Sequence, residues 1–95
     1  MVDDGSFRDN PAKQQYELST QAGTALAAYD LREGVIAFTH TEVPPEMEGQ
    51  GIGGKLVGAA LEDVRQRGLK VLPFCSFVKH FIDTHPEAQD LLKDA

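Results

Sequence analysis

Glu48-Gly49-Gln50-Gly51-Ile52-Gly53-Gly54-Lys55 is a glycine-dense loop that runs straight into an amphipathic helix, shortly after an apolar strand. Glycine lets the backbone turn tightly and approach an anion with no Cβ in the way. The first turn of a helix adds unpaired N–H groups at the positive end of its dipole. Gln50, Gly51, Ile52, Gly53, Gly54 and Lys55 therefore predict a phosphate-holding loop, and a phosphorylated cofactor as its ligand. Beyond the loop, Ile52, Leu56, Ala60, Leu61 and Val64 fall on one side of the helix, with Glu62, Asp63, Arg65 and Gln66 on the other. Gly68 stands where a C-terminal glycine cap belongs. Before the loop, Val35 to Val43 has the β-branched and aromatic content of a strand, and Pro44-Pro45 must end it.

Two common phosphate loops match these letters and fail on their surroundings. A Walker loop needs Ser or Thr after the lysine to hold magnesium, and Leu56 is there instead. A dinucleotide fingerprint wants an acid about 20 positions on, at the end of the next strand. Here that strand, Leu69 to Phe74, ends without one. Both folds also need several parallel strands joined by crossover helices, which 95 residues can hardly supply.

The rest of the chain reads as strands, then helix, strand and helix. Residues 1–13 are polar and acidic, with Gly5 and Pro11, and are expected to form a flexible arm before a single domain over 14–95. Gln15 to Leu18 begins a strand, Ser19 to Gly23 a turn, Thr24 to Tyr29 a second strand, and Asp30 to Gly34 a second turn. Lys70 to Phe74 is a short strand, parallel to Val35–Val43 because a helix joins them, and Pro73 puts its end at an edge or turns it out of the sheet. Phe77, Val78, Phe81 and Ile82 give the following helix an apolar face, and Thr84-x-x-Glu87 has the form of a capping box for a last helical stretch through Leu92.

Composition narrows the function. With 41% hydrophobic residues the chain fills one modest core, so every motif shares one small fold. A net charge of −6 argues against general nucleic-acid binding, which rests on neutralising phosphates, and suits a cationic amine or basic peptide as acceptor, although ordinary solubility is the better explanation of it. One cysteine cannot make an internal disulfide, and no basic-then-apolar leader opens the chain, so a cytoplasmic location is expected. No segment approaches the ~20 apolar residues of a membrane span. No set of His, Cys, Asp and Glu has metal-ligand spacing, and a monomer or weak homodimer is expected.

Three side chains are candidates for chemistry. Cys75 stands where strand meets helix N-terminus, which favours a thiolate; a covalent nucleophile, a residue lining the site and a small core residue are all open readings. His40 and Glu42 share one face of their strand by its period of two, and either is a candidate base for an ammonium acceptor, or an ordinary polar residue near a strand end. Lys55 and Lys79 are candidate cofactor contacts, or solvated helix lysines. His80 belongs to the same helix surface as Lys79, and His85, before Pro86, reads as part of a turn.

The run Thr41-Glu42-Val43-Pro44-Pro45, the loop Gly49-Gln50-Gly51-Ile52-Gly53, then Cys75-Ser76-Phe77 and His85-Pro86-Glu87 together resemble the GNAT-type N-acetyltransferase superfamily, in its small stand-alone YjdJ-type branch. The resemblance covers nearly the whole chain; its departures are Glu48, where Gln or Arg is usual, and Ala88, where an aromatic often follows. It implies an α/β (α+β) fold of minimal GNAT type, with a mostly antiparallel four-stranded sheet and a parallel step around the binding helix. It implies acetyl-CoA or coenzyme A as cofactor, its pyrophosphate on the amides of Gln50 to Lys55, its pantetheine on the main chain near Val43, and its thioester near Cys75. It also implies transfer of acetyl to an amine. The helices that usually wall the acceptor site have no counterpart between Ser19 and Gly23, so an open site is expected, suited to a protein or peptide amine. A non-catalytic CoA-binding module or sensor is the alternative, and a plain interaction domain a third, which the glycine loop disfavours.

Overall fold

The computed structural model describes residues 6–49 and 51–93. Five strands form one sheet in the order β1 (Ser6–Asn10), β2 (Gln15–Thr20), β3 (Gly23–Arg32), β4 (Val35–Glu42) and β5 (Lys70–Pro73). The first four are antiparallel neighbours and β5 runs parallel to β4, joined to it through helix α1 (Ile52–Gln66). Helix α2 (Ser76–Asp83) and a 3₁₀ stretch, Pro86–Leu91, complete the chain. The mixed α+β architecture with its parallel step is the one expected, with one strand more than the four anticipated.

The added strand is β1, inside the stretch expected to be a loose arm. Tertiary contacts recruit it despite its polar sequence. Phe7 stacks on Tyr16 at 5.5 Å, and Arg8 Nε donates to Glu17 Oε1 at 2.7 Å. Glu17, only 5% exposed, also accepts from Gln15 and Asn10. The Gln15 amide, then the Arg8 guanidinium, hold its carboxyl below the usual carboxylate range.

One face of the sheet carries the core. Tyr16, Leu18, Ala25, Ala27, Tyr29, Ile36, Phe38 and Val71 pack there against the buried side of α1. All five residues assigned to that side, Ile52, Leu56, Ala60, Leu61 and Val64, are buried. Val78 and Ile82 bring α2 into the same core, but Phe77 is 42% exposed and does not join it. Phe77/Phe81 and Val78/Ile82 are two adjacent stripes on one helix, and only the second points straight inward. Gly68, at φ 71°, closes α1 with its N–H on Arg65 O and the Leu69 N–H on Val64 O, the paired bonds of a Schellman cap. Thr84 starts no new helix: its hydroxyl turns back to the His80 and Phe81 carbonyls at 3.0 and 3.1 Å, so it closes α2, and the expected capping box does not form. Among the described residues, no helix is long and apolar enough to cross a membrane.

A bulge in β4 positions the site. Ala28 pairs with His40 and Tyr29 with Phe38, which leaves Thr39 as the extra residue. Simple alternation would put Phe38, His40 and Glu42 on one face. With Thr39 inserted, Phe38 stays in the core while His40 and Glu42 turn to the opposite face, across from Ala28 and Leu26. Thr41 and Val43 then face the helices.

Candidate active site

At the bulge the sheet also opens. The β4–β5 ladder ends at Phe38 opposite Pro73, and a last link from Cys75 N–H to Phe38 O, at 2.9 Å, turns the chain into α2. Proline has no N–H to continue the ladder, and a bulge increases local twist, so the two strands part. From Thr39 to Glu42, β4 has β3 on one side and, among the described residues, no strand on the other.

The space so made is a groove of ≈ 800 Å³. One wall is the strand end, Thr41 to Pro45, with Thr24 and Leu26 of β3. The other is the glycine loop and the first turn of α1, Gly51 to Gly54, and Phe77 of α2 stands at the margin. A 3₁₀ turn, Pro45–Met47, carries the chain across the end of the groove and anchors it with Met47, which is fully buried.

The loop is built for backbone presentation. Gly49 and Gly51 have φ of 82° and 72°, a left-handed region that side chains with a Cβ disfavour. Gly51 is the N-cap of α1 and supplies no side-chain bond to it. The first helical bond runs from Lys55 N–H to Gly51 O at 3.0 Å, so the amides of Ile52, Gly53 and Gly54 precede the intrahelical ladder. Around Gly51 and Gly54, a Cβ would meet nothing within 4 Å, which is open space for a ligand. Gly53 differs: a Cβ there would sit 2.6 Å from Phe77 Cζ, so glycine is what lets that ring lie over the helix start. These features fit the pyrophosphate of coenzyme A, and the free edge of β4 fits the amide-bearing pantetheine arm.

The structure sorts the candidate residues. Val43, Gly51, Ile52, Gly53 and Gly54 line the groove, with Glu42 at its rim; Gln50 lies outside the described residues. His40 Nε2 is 3.1 Å from Glu42 Oε2, each side chain 60% exposed. Cys75 is 8% exposed and contributes no lining; its Sγ lies 3.2 Å from Thr41 Oγ1, which does line the groove. Lys55 faces a neighbouring cavity rather than the groove. Lys79 is held by Asp83 at 3.0 Å and lines neither. Thr24, Leu26, Met47 and Phe77 are site residues that sequence reasoning missed. The adjacent stripes of α2 were the available signal for Phe77; the other three need the tertiary fold. Among the described residues no cluster of His, Cys, Asp and Glu is arranged to hold a metal ion.

The charges of the groove are unusual for an anion site: its charged lining residues are Glu42 and Glu48, with no Lys or Arg. Anion binding here would rest on main-chain N–H groups and the helix dipole, and the carboxylate at Glu42 is placed for a cation instead.

A similar fold occurs in the solution structure of a GCN5-like candidate N-acetyltransferase from Staphylococcus aureus. It is 26% identical, with a TM-score of 0.73 over 96% of this chain and 90% of that one. The family model of the GCN5-related N-acetyl-transferases matches residues 15–91, from β2 through the glycine loop to the last 3₁₀ stretch. The chain therefore belongs to the GCN5-related N-acetyl-transferase family.

Proposed function

We propose that this protein is an acetyl-CoA-dependent N-acetyltransferase whose acceptor is an amine carried by a protein or peptide. The observation that carries the reading is the groove, with amides of α1 at one end and the edge of β4 along its side that are unpaired among the described residues. When bound, acetyl-CoA supplies an acetyl group activated as a thioester. Ile52, Gly53 and Gly54 would hold the pyrophosphate through their N–H groups, and the main chain near Val43 would align the pantetheine arm.

The acceptor side follows from the bulge. Glu42 and His40 face away from the core, where no helix of the kind that walls larger relatives stands between β2 and β3; those strands are joined by Gln21 and Ala22 alone. With its proton on Nε2, His40 donates to Glu42 Oε2, which leaves Glu42 Oε1 and His40 Nδ1 as basic lone pairs. An ammonium acceptor would dock on this pair and lose its proton to it, becoming the neutral amine that attacks. Cys75, buried beneath Thr41, serves in this reading as packing behind the Thr41 wall of the groove and not as a covalent carrier. The proposed setting is a cytoplasmic monomer or weak dimer acting without nucleic acid or membrane.

The exposure of the His40–Glu42 pair favours a second reading, a module that binds coenzyme A without turnover, because a base in open water gains little from its surroundings. Incubating the protein with acetyl-CoA and a pool of lysine-bearing and free N-terminal peptides separates the two. Release of coenzyme A thiol matched by acetylated peptide, and lost in Glu42→Gln, supports the enzyme. Binding without either product supports the module.

A further inference from the structure

Thr41 sits between His40 and Glu42 in sequence and on the other face of β4, so its half-buried side chain lines the groove while theirs turn to the acceptor side. Its Oγ1 lies 3.2 Å from Sγ of the buried Cys75, and either atom can be the donor. We propose that the Thr41 hydroxyl is a catalytic hydrogen-bond donor to the thioester sulfur, stabilising the negative charge that collects there as the acetyl group departs, with the Cys75 thiol holding the hydroxyl in place from behind. The inference rests on the acetyl-CoA reading above and fills a role at the leaving-group end that the reading leaves unassigned.

The groove offers few other donors. Among the described residues its lining has no Lys, Arg, Tyr, Ser or Cys. Glu42 and Glu48, as carboxylates, only accept hydrogen bonds. Thr24 is the other hydroxyl, and its Oγ1 is engaged by Ser19 Oγ at 3.0 Å. Thr41 has a partner suited to releasing it. A thiol is both a weak donor and a weak acceptor, so the hydroxyl loses little by rotating toward a charged sulfur, and the Cys75 S–H can then donate to Thr41 Oγ1.

Strand β4 thereby separates the two charges of the transfer. On one face, the acceptor nitrogen bonds to the acetyl carbon and its proton passes to the His40–Glu42 pair. On the other, the carbon–sulfur bond breaks and its electron pair stays on sulfur. Thr41 gives up no proton in this step. Its hydrogen bond is stronger to a thiolate than to a neutral thioester, and only that difference lowers the barrier.

A titration of the thiol product tests this apart from turnover. Coenzyme A and desulfo-coenzyme A, in which hydrogen replaces the thiol, are each bound to the protein, and ultraviolet thiolate absorbance is followed against pH; subtracting the desulfo titration cancels Cys75 and the tyrosines. The bound thiol should titrate about one pH unit lower in wild type than in Thr41→Val, about a tenfold change in its ionisation, and Thr41→Ser should match wild type. Thr41→Val should also lower kcat about tenfold with little change in KM for acetyl-CoA, and calorimetry should give all three proteins the same affinity for desulfo-coenzyme A. Thr41→Ala is read alongside, so that the comparison does not hang on one variant folding. The same thiol titration with and without the hydroxyl, or a loss of affinity in Thr41→Val that desulfo-coenzyme A shares, overturns the assignment and leaves the acetyl-CoA reading intact. Failure of wild type to bind either compound overturns both.

Discussion

The two ends of α1 are built on opposite plans. At its C-terminal end the polar groups are consumed by the fold. Tyr16 OH donates to Asp63 Oδ2 at 2.6 Å, Tyr29 OH to Asp9 Oδ1 at 2.6 Å, and Arg67 Nη1 reaches Tyr16 OH, Asp9 and Asp63 at 3.2 to 3.4 Å. Burial, then the Asp63 carboxylate, push the Tyr16 hydroxyl above its usual pKa, and burial with Asp9 does the same for Tyr29. At the N-terminal end glycines provide no side chains, Gly51 gives no capping bond, and the first amides stay out of the ladder. One helix end therefore ties β1, β2 and β3 together, and the other keeps its donors for a ligand.

Separating stability from binding would sharpen that contrast. The largest effect is expected from Tyr16→Phe, which strips a hydrogen bond from Asp63 and Arg67. It should cost about 1–2 kcal/mol and lower Tm by roughly 4–8 °C per kcal/mol, by circular dichroism, with acetyl-CoA affinity unchanged. A matching loss of affinity would show that the ends are not independent. Gly54→Ala should do the reverse: its Cβ has room and suits a helix, so stability should rise by about 0.5 kcal/mol while acetyl-CoA binds less tightly. A variant that is both stabilised and fully competent to bind would remove Gly54 from the site.

Smaller effects concern pH and packing. Glu17 has its carboxyl pKa lowered by folding, so its contribution is present above the unfolded value of 4.5 and is lost as pH falls through the lowered folded value. Glu17→Gln should flatten the acid limb of a stability–pH curve while leaving the alkaline limb as it is. Gly53→Ala must displace the Phe77 ring, and adding Phe77→Ala should relieve that clash, a coupling that a double-mutant cycle on Tm reads directly. Cys75→Ala is expected to be the mildest for chemistry, with turnover retained and only a modest drop in Tm. Complete loss of turnover in a folded Cys75→Ala protein would restore the covalent route.

What could be read from the residues alone followed local rules. The 3.6-residue period marked α1, Gly68 marked its end, Pro44-Pro45 ended β4 within a residue, and Pro73 marked where β5 leaves the sheet. The features that escaped depend on partners distant in sequence. Ser6–Asn10 has no apolar alternation of its own and becomes a strand because Phe7 and Arg8 find Tyr16 and Glu17. Period-two reasoning did place His40 and Glu42 together, but it could not show that Thr39 would bulge and turn both away from Phe38. At Cys75 the residues alone leave nucleophile, site lining and core packing open, and only the tertiary contact beneath Thr41 shows the thiol to be buried.

The most direct test of the account is a ¹H–¹⁵N correlation spectrum recorded during titration with acetyl-CoA. The amides of Ile52, Gly53 and Gly54, with those of Thr41 to Val43, should shift, while those of Val64 to Lys70 at the paired end of α1 stay in place. Absence of shifts at the glycine loop, or shifts centred on the Tyr16–Asp63–Arg67 end, would contradict it.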